Sequence, residues 1–454
     1  MTDNMVLLAI DWSAVGIKAA QFILSFSILV ILHEMGHFLP AKWFKCRVEK
    51  FYLFFNPWFS LFKKKIGETE YGLGWIPLGG YVKISGMIDE SMDKEQMKQP
   101  AQPWEFRSKP AWQRLIIMLG GVTVNVILAI IIFIMITWAW GEEYLPPQNV
   151  KYGLAADSLA ASMGLKDGDV IYKVGNENVK DEFRVTPLIL TTDATSVTVL
   201  REGQQIELPV PSTMIKSLSQ TKGAGFVSPR FPAIVDAFSK TSNAEKAGLK
   251  KGDQLIGVDS VSTPYFQDFQ REVRKRKNSD IIVTALRGTD TIKVNVQVNE
   301  QGMVGIAPLS DIKQLGFQTE TKKYSFGEAI PAGFNRCWKT LSNYMTGLKQ
   351  IFTGRVAAKD SLGSVISIGN IFPGVWDWES FWTLTAVFSI ILAFMNVLPI
   401  PGLDGGHALF TIYEMITGHK PSDKFIEYAQ MVGMVLLLGL MLYAFGLDIW
   451  RLFK

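Results

Sequence analysis

His33-Glu34-Met35-Gly36-His37 sits at the end of an uncharged run, Ala19–Leu32 (AAQFILSFSILVIL), and Phe38-Leu39-Pro40 resumes the apolar character beyond it. From about Val15 to Phe38 the stretch is long enough to cross a bilayer, which takes roughly 20 helical residues. Two histidines four apart on a helix share a face, so both imidazoles can bind one metal. Glu34, one residue after the first histidine, can then act as general base toward a water activated by that metal. Ionisable groups at membrane depth are costly, which makes them functional candidates. The pattern predicts zinc chemistry inside a membrane helix.

The chain holds four histidines, His33, His37, His407 and His419. Catalytic zinc commonly takes three protein ligands and keeps a fourth position open. The third ligand is therefore His407, His419 or a carboxylate. Asn396–Gly406 (NVLPIPGLDGG) offers Asp404 at the end of another apolar run, flanked by prolines and glycines. Irregular backbone at membrane depth is tolerated only where protein or a cavity covers it, which favours a site there. The plainer alternative makes Asp404 the N-cap of a following helix.

At 454 residues the chain exceeds one ordinary domain, and 48% hydrophobic residues point to a membrane protein with soluble parts. A formal charge of +4 argues for no nucleic-acid partner. Two cysteines, Cys46 and Cys337, supply no disulfide framework and no CxxC zinc site. The N-terminal MTDNMVLLAIDW lacks the basic region of a cleavable signal peptide, so the first span is expected to be retained.

Four apolar segments are expected to span: about 15–38, Leu115–Trp140, Phe381–Leu398 and Met431–Phe445 with its flanks. Lys42, Lys45, Arg47 and Lys50 follow the first, Arg107, Lys109 and Arg114 precede the second, and Lys420 and Lys424 lie between the last two. The positive-inside bias then puts the 41–114 connection in the cytoplasm and both termini with residues 141–380 outside. Both candidate ligand groups fall at the cytoplasmic end of their spans. The two cysteines fall on opposite sides.

The external region repeats itself. Gly164-Leu165-Lys166-Asp167-Gly168-Asp169 recurs 84 residues later as Gly248-Leu249-Lys250-Lys251-Gly252-Asp253, and Val197–Gly203 recurs as Val283–Gly288 with a two-residue slip. Each unit resembles a PDZ domain in its bacterial, circularly permuted form, which implies a groove for an extended peptide. A spacer or size filter without a ligand is the alternative. Phe326, Ile330, Phe334, Trp338, Leu341, Met345, Leu348 and Phe352 mark one apolar helix face, either interfacial or packed against a PDZ unit. Trp376, Trp378 and Trp382 form an expected aromatic belt. Tyr71–Ile84 (YGLGWIPLGGYVKI) reads as paired strands, a hairpin within 69–86 that either offers an edge to substrate or is purely structural.

Taken together, HEMGH, NVLPIPGLDGG and two intervening PDZ-like units resemble the site-2 protease family over essentially the whole chain. The resemblance implies a polytopic α-helical membrane protein of about four transmembrane helices, with two inserted PDZ domains and a membrane-associated β-hairpin. Its parts would be an N-terminal membrane portion (1–140), two PDZ domains (141–225 and 226–310), an amphipathic helix and linker (320–370) and a C-terminal membrane portion (375–454). It also implies one zinc ion held by His33, His37 and Asp404, with Glu34 as catalytic base. Asn396 and Pro399 match positions near the substrate strand, Gly79, Gly80 and Tyr81 match the membrane-associated β region, and Asn125 matches a span-two motif that helps seat substrate. Leu362–Ser367 lacks the Gly-Pro usual in the family. The implied activity is cleavage of pre-trimmed transmembrane segments in a bacterial inner membrane, anti-sigma factors or remnant signal peptides being the substrates. The implied partners are the bilayer, an upstream site-1-type protease and peptide ligands of the PDZ units. A metal transporter or a silent PDZ scaffold are the competing classes.

Overall fold

The computed structural model describes residues 12–87, 99–192, 194–220, 226–239, 241–309, 314–354, 356–361 and 363–452. The segment before Trp12, Leu362 of the Leu362–Ser367 stretch, and the expected boundaries at 225 and 310 lie outside the described residues. The chain forms two units, one of residues up to 141 with 323–349 and 362–454, the other of 142–322 with 350–361.

The first unit is built on α1 (Trp12–Trp43), α2 (Ala111–Ala139), α3 (Phe326–Phe352), α4 (Trp378–Val397), α5 (Asp404–Thr417) and α6 (Asp423–Leu452). Among these, α1, α2, α4 and Lys424–Arg451 of α6 are long and apolar enough to cross a membrane. They coincide with the four expected spans but run longer. In particular, α6 begins at Asp423 and not at Met431, because no breaker follows Pro421 and a helix continues through polar residues. A stripe at every fourth position of α1 is buried: Gln21, Ser25, Leu29, His33, His37 and Ala41. Ser25 Oγ meets Thr385 Oγ1 at 2.9 Å, the Gln21 amide donates to Pro373 O at 2.8 Å, and Ser389 donates to Asn125 O at 2.7 Å. Such bonds between membrane helices contribute only ~0.6 kcal/mol each. Close backbone contact dominates: a Cβ added at Gly36 would lie 2.5 Å from Gly120 O, so α1 and α2 cross where neither has a side chain.

Helix α3 packs with a face other than its apolar one. Ala329 and Cys337 are buried, a Cβ on Gly333 would lie 2.6 Å from Ile134 Cα, and the Arg336 guanidinium sits over the Phe133 ring. Phe326, Ile330, Phe334, Trp338, Met345 and Phe352 of the expected stripe are exposed. Small residues let α3 approach α2 closely, which bulky ones prevent.

The connection between α1 and α2 corrects the expected hairpin. Four strands, β1 (Val48–Phe55), β2 (Phe62–Ile66), β3 (Thr69–Leu73) and β4 (Ile76–Ile84), lie in the order β2-β3-β1-β4. Strand β1 pairs in parallel with β3 and antiparallel with β4, so Tyr71–Ile84 contains two strands that flank a third and do not pair with each other. Gly74 carries the chain around the end of β1: its N–H donates to Leu53 O, and a Cβ there would strike the Phe54 and Phe55 carbonyls. Strand β4 is left as an edge.

The second unit contains the two repeats. Asp169 and Asp253, each 1% exposed, occupy equivalent turns. Asp169 accepts from Lys166 N and from both Nε and Nη2 of Arg201, whose Nη2 also donates to Gly164 O. Asp253 repeats the arrangement with Lys250 N, Arg287 and Gly248 O. Bidentate charge-assisted pairs of this kind fix geometry strongly. Gly164, Gly168, Gly248 and Gly252 all have φ between 91° and 101°, a region that favours glycine, so the GxxxGD spacing is a requirement of the turn. The sheets are ordered 204–209, 196–201, 170–174, 177–178 in the first repeat and 290–297, 280–287, 254–258, 233–238, 306–308 in the second. Leu315 and Phe317, beyond the second repeat, are buried in the core of the first, and Glu320–Lys322 pairs antiparallel with Glu142–Tyr144. Residues 350–361 join through Gln350, whose amide donates to Leu190 O at 2.5 Å.

Glu182, at the start of the helical segment below the first sheet, is 3% exposed, and burial together with neighbouring Asp181 pushes its carboxyl up to about 8. An unfolded chain gives up this proton near pH 4.5, so the fold loses stability as pH rises from there to about 8 and loses no more above it. Glu182→Gln keeps the neutral shape and is expected to raise the melting temperature more at pH 8 than at pH 5; equal shifts at both pH values would refute the burial argument.

Candidate metal centre

His33 and His37 lie one turn apart on the buried stripe of α1, and both are at most 8% exposed. Asp404 is the first residue of α5. It is not the N-cap: Leu403 holds that position without a side-chain cap bond, and the Asp404 carboxylate turns to the histidines instead. Glycines make that delivery possible. Gly402 has φ of 94°, an added Cβ on Gly406 would lie 2.6 Å from Ile400 O, and one on Gly405 would strike the Val397 and Leu398 carbonyls. The first turn of α5 is thereby pressed onto the 398–403 connection that feeds it.

Three atoms converge. His33 Nε2 and His37 Nε2 lie 3.2 Å apart, and Asp404 Oδ2 lies 3.2 Å from the first and 3.3 Å from the second. The tautomers follow from what holds the far side of each ring. His37 Nδ1 is 2.8 Å from Ile117 O, which can only accept, so Nδ1 carries the proton and Nε2 presents a lone pair. His33 Nδ1 is 3.1 Å from the side-chain amide of Asn125, whose Oδ1 is buried without a partner. A half-turn of the amide satisfies that oxygen: with it toward the ring, His33 Nδ1 donates and its Nε2 also presents a lone pair. Asp404 Oδ2 likewise has no hydrogen-bond donor. Three inward lone pairs repel unless a cation sits among them. Zinc ligands at about 2.0–2.1 Å in tetrahedral array stand roughly 3.3 Å apart, so the donor set fits that ion and leaves one position open. Among the described residues this is the one His/Cys/Asp/Glu group spaced for a metal.

Glu34, half-buried on α1, faces β4: a Cβ added at Gly80 would lie 2.7 Å from Val30 Cγ1 and 3.7 Å from Glu34 Cγ. Gly79 has φ of 155°, and a Cβ there would meet the Phe55 ring at 2.7 Å. The missing side chains let the edge strand lie flush beside Glu34. Tyr81 stacks on Tyr52 and Phe55 and donates to Asn56 Oδ1 at 2.9 Å; burial pushes its hydroxyl up to about 12, so it remains a donor at neutral pH. Of the expected site residues, His33, His37, Asp404 and Asn125 meet directly, and Gly80 lies against Glu34. Asn396, in the last turn of α4, and Pro399, exposed in the 398–403 connection, make no hydrogen bond or ion pair to the triad. His407 turns to Gln430 at 2.5 Å, and His419 to Thr417 O. Sequence reasoning missed Gly121, where an added Cβ would lie 2.5 Å from His37 Nε2 and 2.6 Å from His33 Cε1. Its signal was the Gly120-Gly121 pair within an apolar span.

The sequence profile of Peptidase family M50 matches residues 21–440. The chain belongs to that family, the site-2 class of metalloproteases. It is 25% identical to a putative zinc metalloprotease of Thermotoga maritima and 28% identical to one of Neisseria meningitidis serogroup A, each alignment covering 95% of this chain and 98% of the relative. It is 26% identical to the regulator of sigma E protease of Haemophilus influenzae, over 95% of this chain and 98% of that one.

Two variants test the geometry. Asn125→Ala is expected to weaken metal affinity about 10- to 100-fold in chelator competition, the usual cost of losing a group that orients a ligand. Gly121→Ala is expected to abolish stoichiometric metal by elemental analysis while helical content is retained. Undiminished metal in both would refute the proposed orientation of the rings.

Proposed function

We propose that the chain is an intramembrane zinc endopeptidase that cuts transmembrane segments of single-span proteins. The observation that carries this reading is the triad of lone pairs formed where the membrane-class helix α1 meets the start of α5, with Glu34 beside the edge strand β4. His33, His37 and Asp404 hold the ion. When bound, zinc polarises a carbonyl and acidifies water. Glu34 takes a proton from the attacking water and returns it to the leaving amine. Asn125 and Ile117 O hold the imidazoles in one tautomer throughout.

A transmembrane helix hides its carbonyls in hydrogen bonds and must unwind before attack. The free edge of β4 can pair with the unwound stretch, which offsets part of that cost and presents its backbone to Glu34. Asn396, in the last turn of α4, and Pro399, on the connection leading to Asp404, are assigned to substrate contact in this reading. The exposed stripe of α3 and the apolar side chains Trp58, Phe59, Leu61 and Phe62 meet lipid. In this reading the basic end of the spans is cytoplasmic in a bacterial inner membrane, and both termini lie with the repeats on the periplasmic side.

The repeats at 142–322 act as PDZ units that take peptide or reject substrates with bulky external domains, so cleavage follows a first cut by another protease. Because one relative is named a regulator of sigma E protease, the substrate class is taken to be an anti-sigma factor of an envelope stress response, with remnant signal peptides as a further class.

The test is cleavage of a trimmed single-span substrate in detergent or liposomes. Wild type is expected to yield a product cut within the span. Glu34→Gln is expected to lose at least about 10³-fold in rate, within the range for loss of a general base, while one zinc per chain remains. Gly80→Val, which drives a side chain toward Val30 and Glu34, is expected to cut cleavage at unchanged zinc content. Full activity in Glu34→Gln would overturn the assignment, and zinc without cleavage of any trimmed substrate would favour a scaffold or transporter.

A further inference from the structure

One face of α2 reaches every element that carries a metal-binding side chain. Arg114, Ile117, Met118, Gly121 and Asn125 are buried and recur every three or four residues along it. Ile117 O holds His37, Asn125 holds His33, and Gly121 makes room for both rings. Arg114, in the first turn, pairs instead with Glu414 of α5, the helix that begins at Asp404, with Nη2–Oε1 of 2.5 Å. We propose that Arg114, acting through Glu414, is a positioning residue for the metal centre: the pair sets the rotation of α5 and with it the place of the Asp404 carboxylate. The proposal rests on the zinc reading of the triad.

Helix α5 has little bulk with which to orient itself. Its buried residues, Gly405, Gly406, Ala408 and Thr411, are all small, whereas Leu409, Ile412, Tyr413, Met415 and Ile416 are exposed. Small contacts allow close approach, but they offer no ridge to lock into a groove and stop a helix turning on its axis. Toward α6 it makes a ring contact, Phe410 with Phe425, and the His407–Gln430 pair. Toward α2 the Arg114–Glu414 pair supplies direction. Its guanidinium is 7% exposed and is anchored on its own side, Nε donating to Lys109 O at 3.0 Å, so it is a fixed post. Replacing a buried ion pair by apolar side chains is often neutral or stabilising, so the pair contributes direction more than stability.

Glu414 lies beside Arg114, while Asp404 meets the rings that crowd Gly121, so α5 runs opposite to α2 and is held at both ends. The two attachments are about 15 Å apart along α5 at 1.5 Å per residue. With the far one released, α5 stays tethered at its glycine-packed start and is free to turn. A turn of about 15° carries the carboxylate roughly 1 Å, beyond the ~0.5 Å within which such a constellation must be held. The metal-free site then meets zinc with its third donor misplaced.

Zinc affinity is measured by chelator competition on the purified full-length protein, and hydrogen exchange over residues 404–417 is followed in its metal-free form. Two variants are compared with wild type: Glu414→Gln, and the apolar pair Arg114→Met with Glu414→Leu. Both are expected to bind zinc about five- to ten-fold more weakly, at or below the 10- to 100-fold cost of losing a group that touches a ligand. Both are expected to exchange faster over 404–417, and the apolar pair to keep the wild-type melting temperature. Unchanged zinc affinity in Glu414→Gln or in the folded apolar pair overturns the proposal. Weaker zinc accompanied by a lower melting temperature and faster exchange throughout the membrane helices makes the pair merely structural and also overturns it. Wild type that holds no zinc overturns the metal reading itself, so the two failures are told apart.

Discussion

Everything in the membrane unit depends on three lone pairs being held within about 3.3 Å of one another in a low-dielectric bundle. Left alone they repel and are poorly solvated, so surrounding contacts must hold them in place. Two imidazoles are fixed by groups on α2, and the carboxylate is fixed by the glycine-packed start of α5. Loosening any of these supports would let the donors turn away to protons or water. The helix crossing at Gly36 and Gly120 is thus a condition for the metal centre and not merely for the bundle.

That constraint explains how glycine is spent. At Gly36, Gly120 and Gly121 it removes side chains so that backbone and imidazole can touch across helices. At Gly79 and Gly80 it removes them so that an edge strand can lie against the helix carrying Glu34. At Gly402, Gly405 and Gly406 it lets a helix begin in direct contact with the connection that feeds it. Each case spends conformational entropy, which glycine loses most of, to obtain a close approach that a methyl group would forbid.

Much of this was legible in the sequence. HEMGH at the end of an apolar run and Asp404 at the end of another mark donors at one depth, because charge is rare in such segments. The GxxxGD turns announced a repeat, and Asp169–Arg201 and Asp253–Arg287 reproduce it atom for atom. Strand partners were not legible: alternation within Tyr71–Ile84 identifies strands, but nothing local says that Val48–Phe55 comes between them. The packing face of α3 also escaped, because hydropathy weights Phe334 and Trp338 heavily and Ala329 and Gly333 hardly at all. Close approach to α2 is what the contact requires, so smallness and not hydrophobicity marks it. The partner of His37 is the carbonyl of Ile117, a backbone group that no side-chain pattern can announce.

The strand pair formed by Glu142–Tyr144 and Glu320–Lys322 has a consequence for how such a chain can change over time. Segments leaving α2 and arriving at α3 stand one strand spacing apart, about 4.8 Å. The 175 or so residues between them therefore close on themselves like a loop with a zipped neck. Insertions, losses or duplications of whole repeats above that neck leave its two ends where they were. The unit that carries the metal centre can keep its spacing while the repeats are exchanged, provided the seam itself is retained.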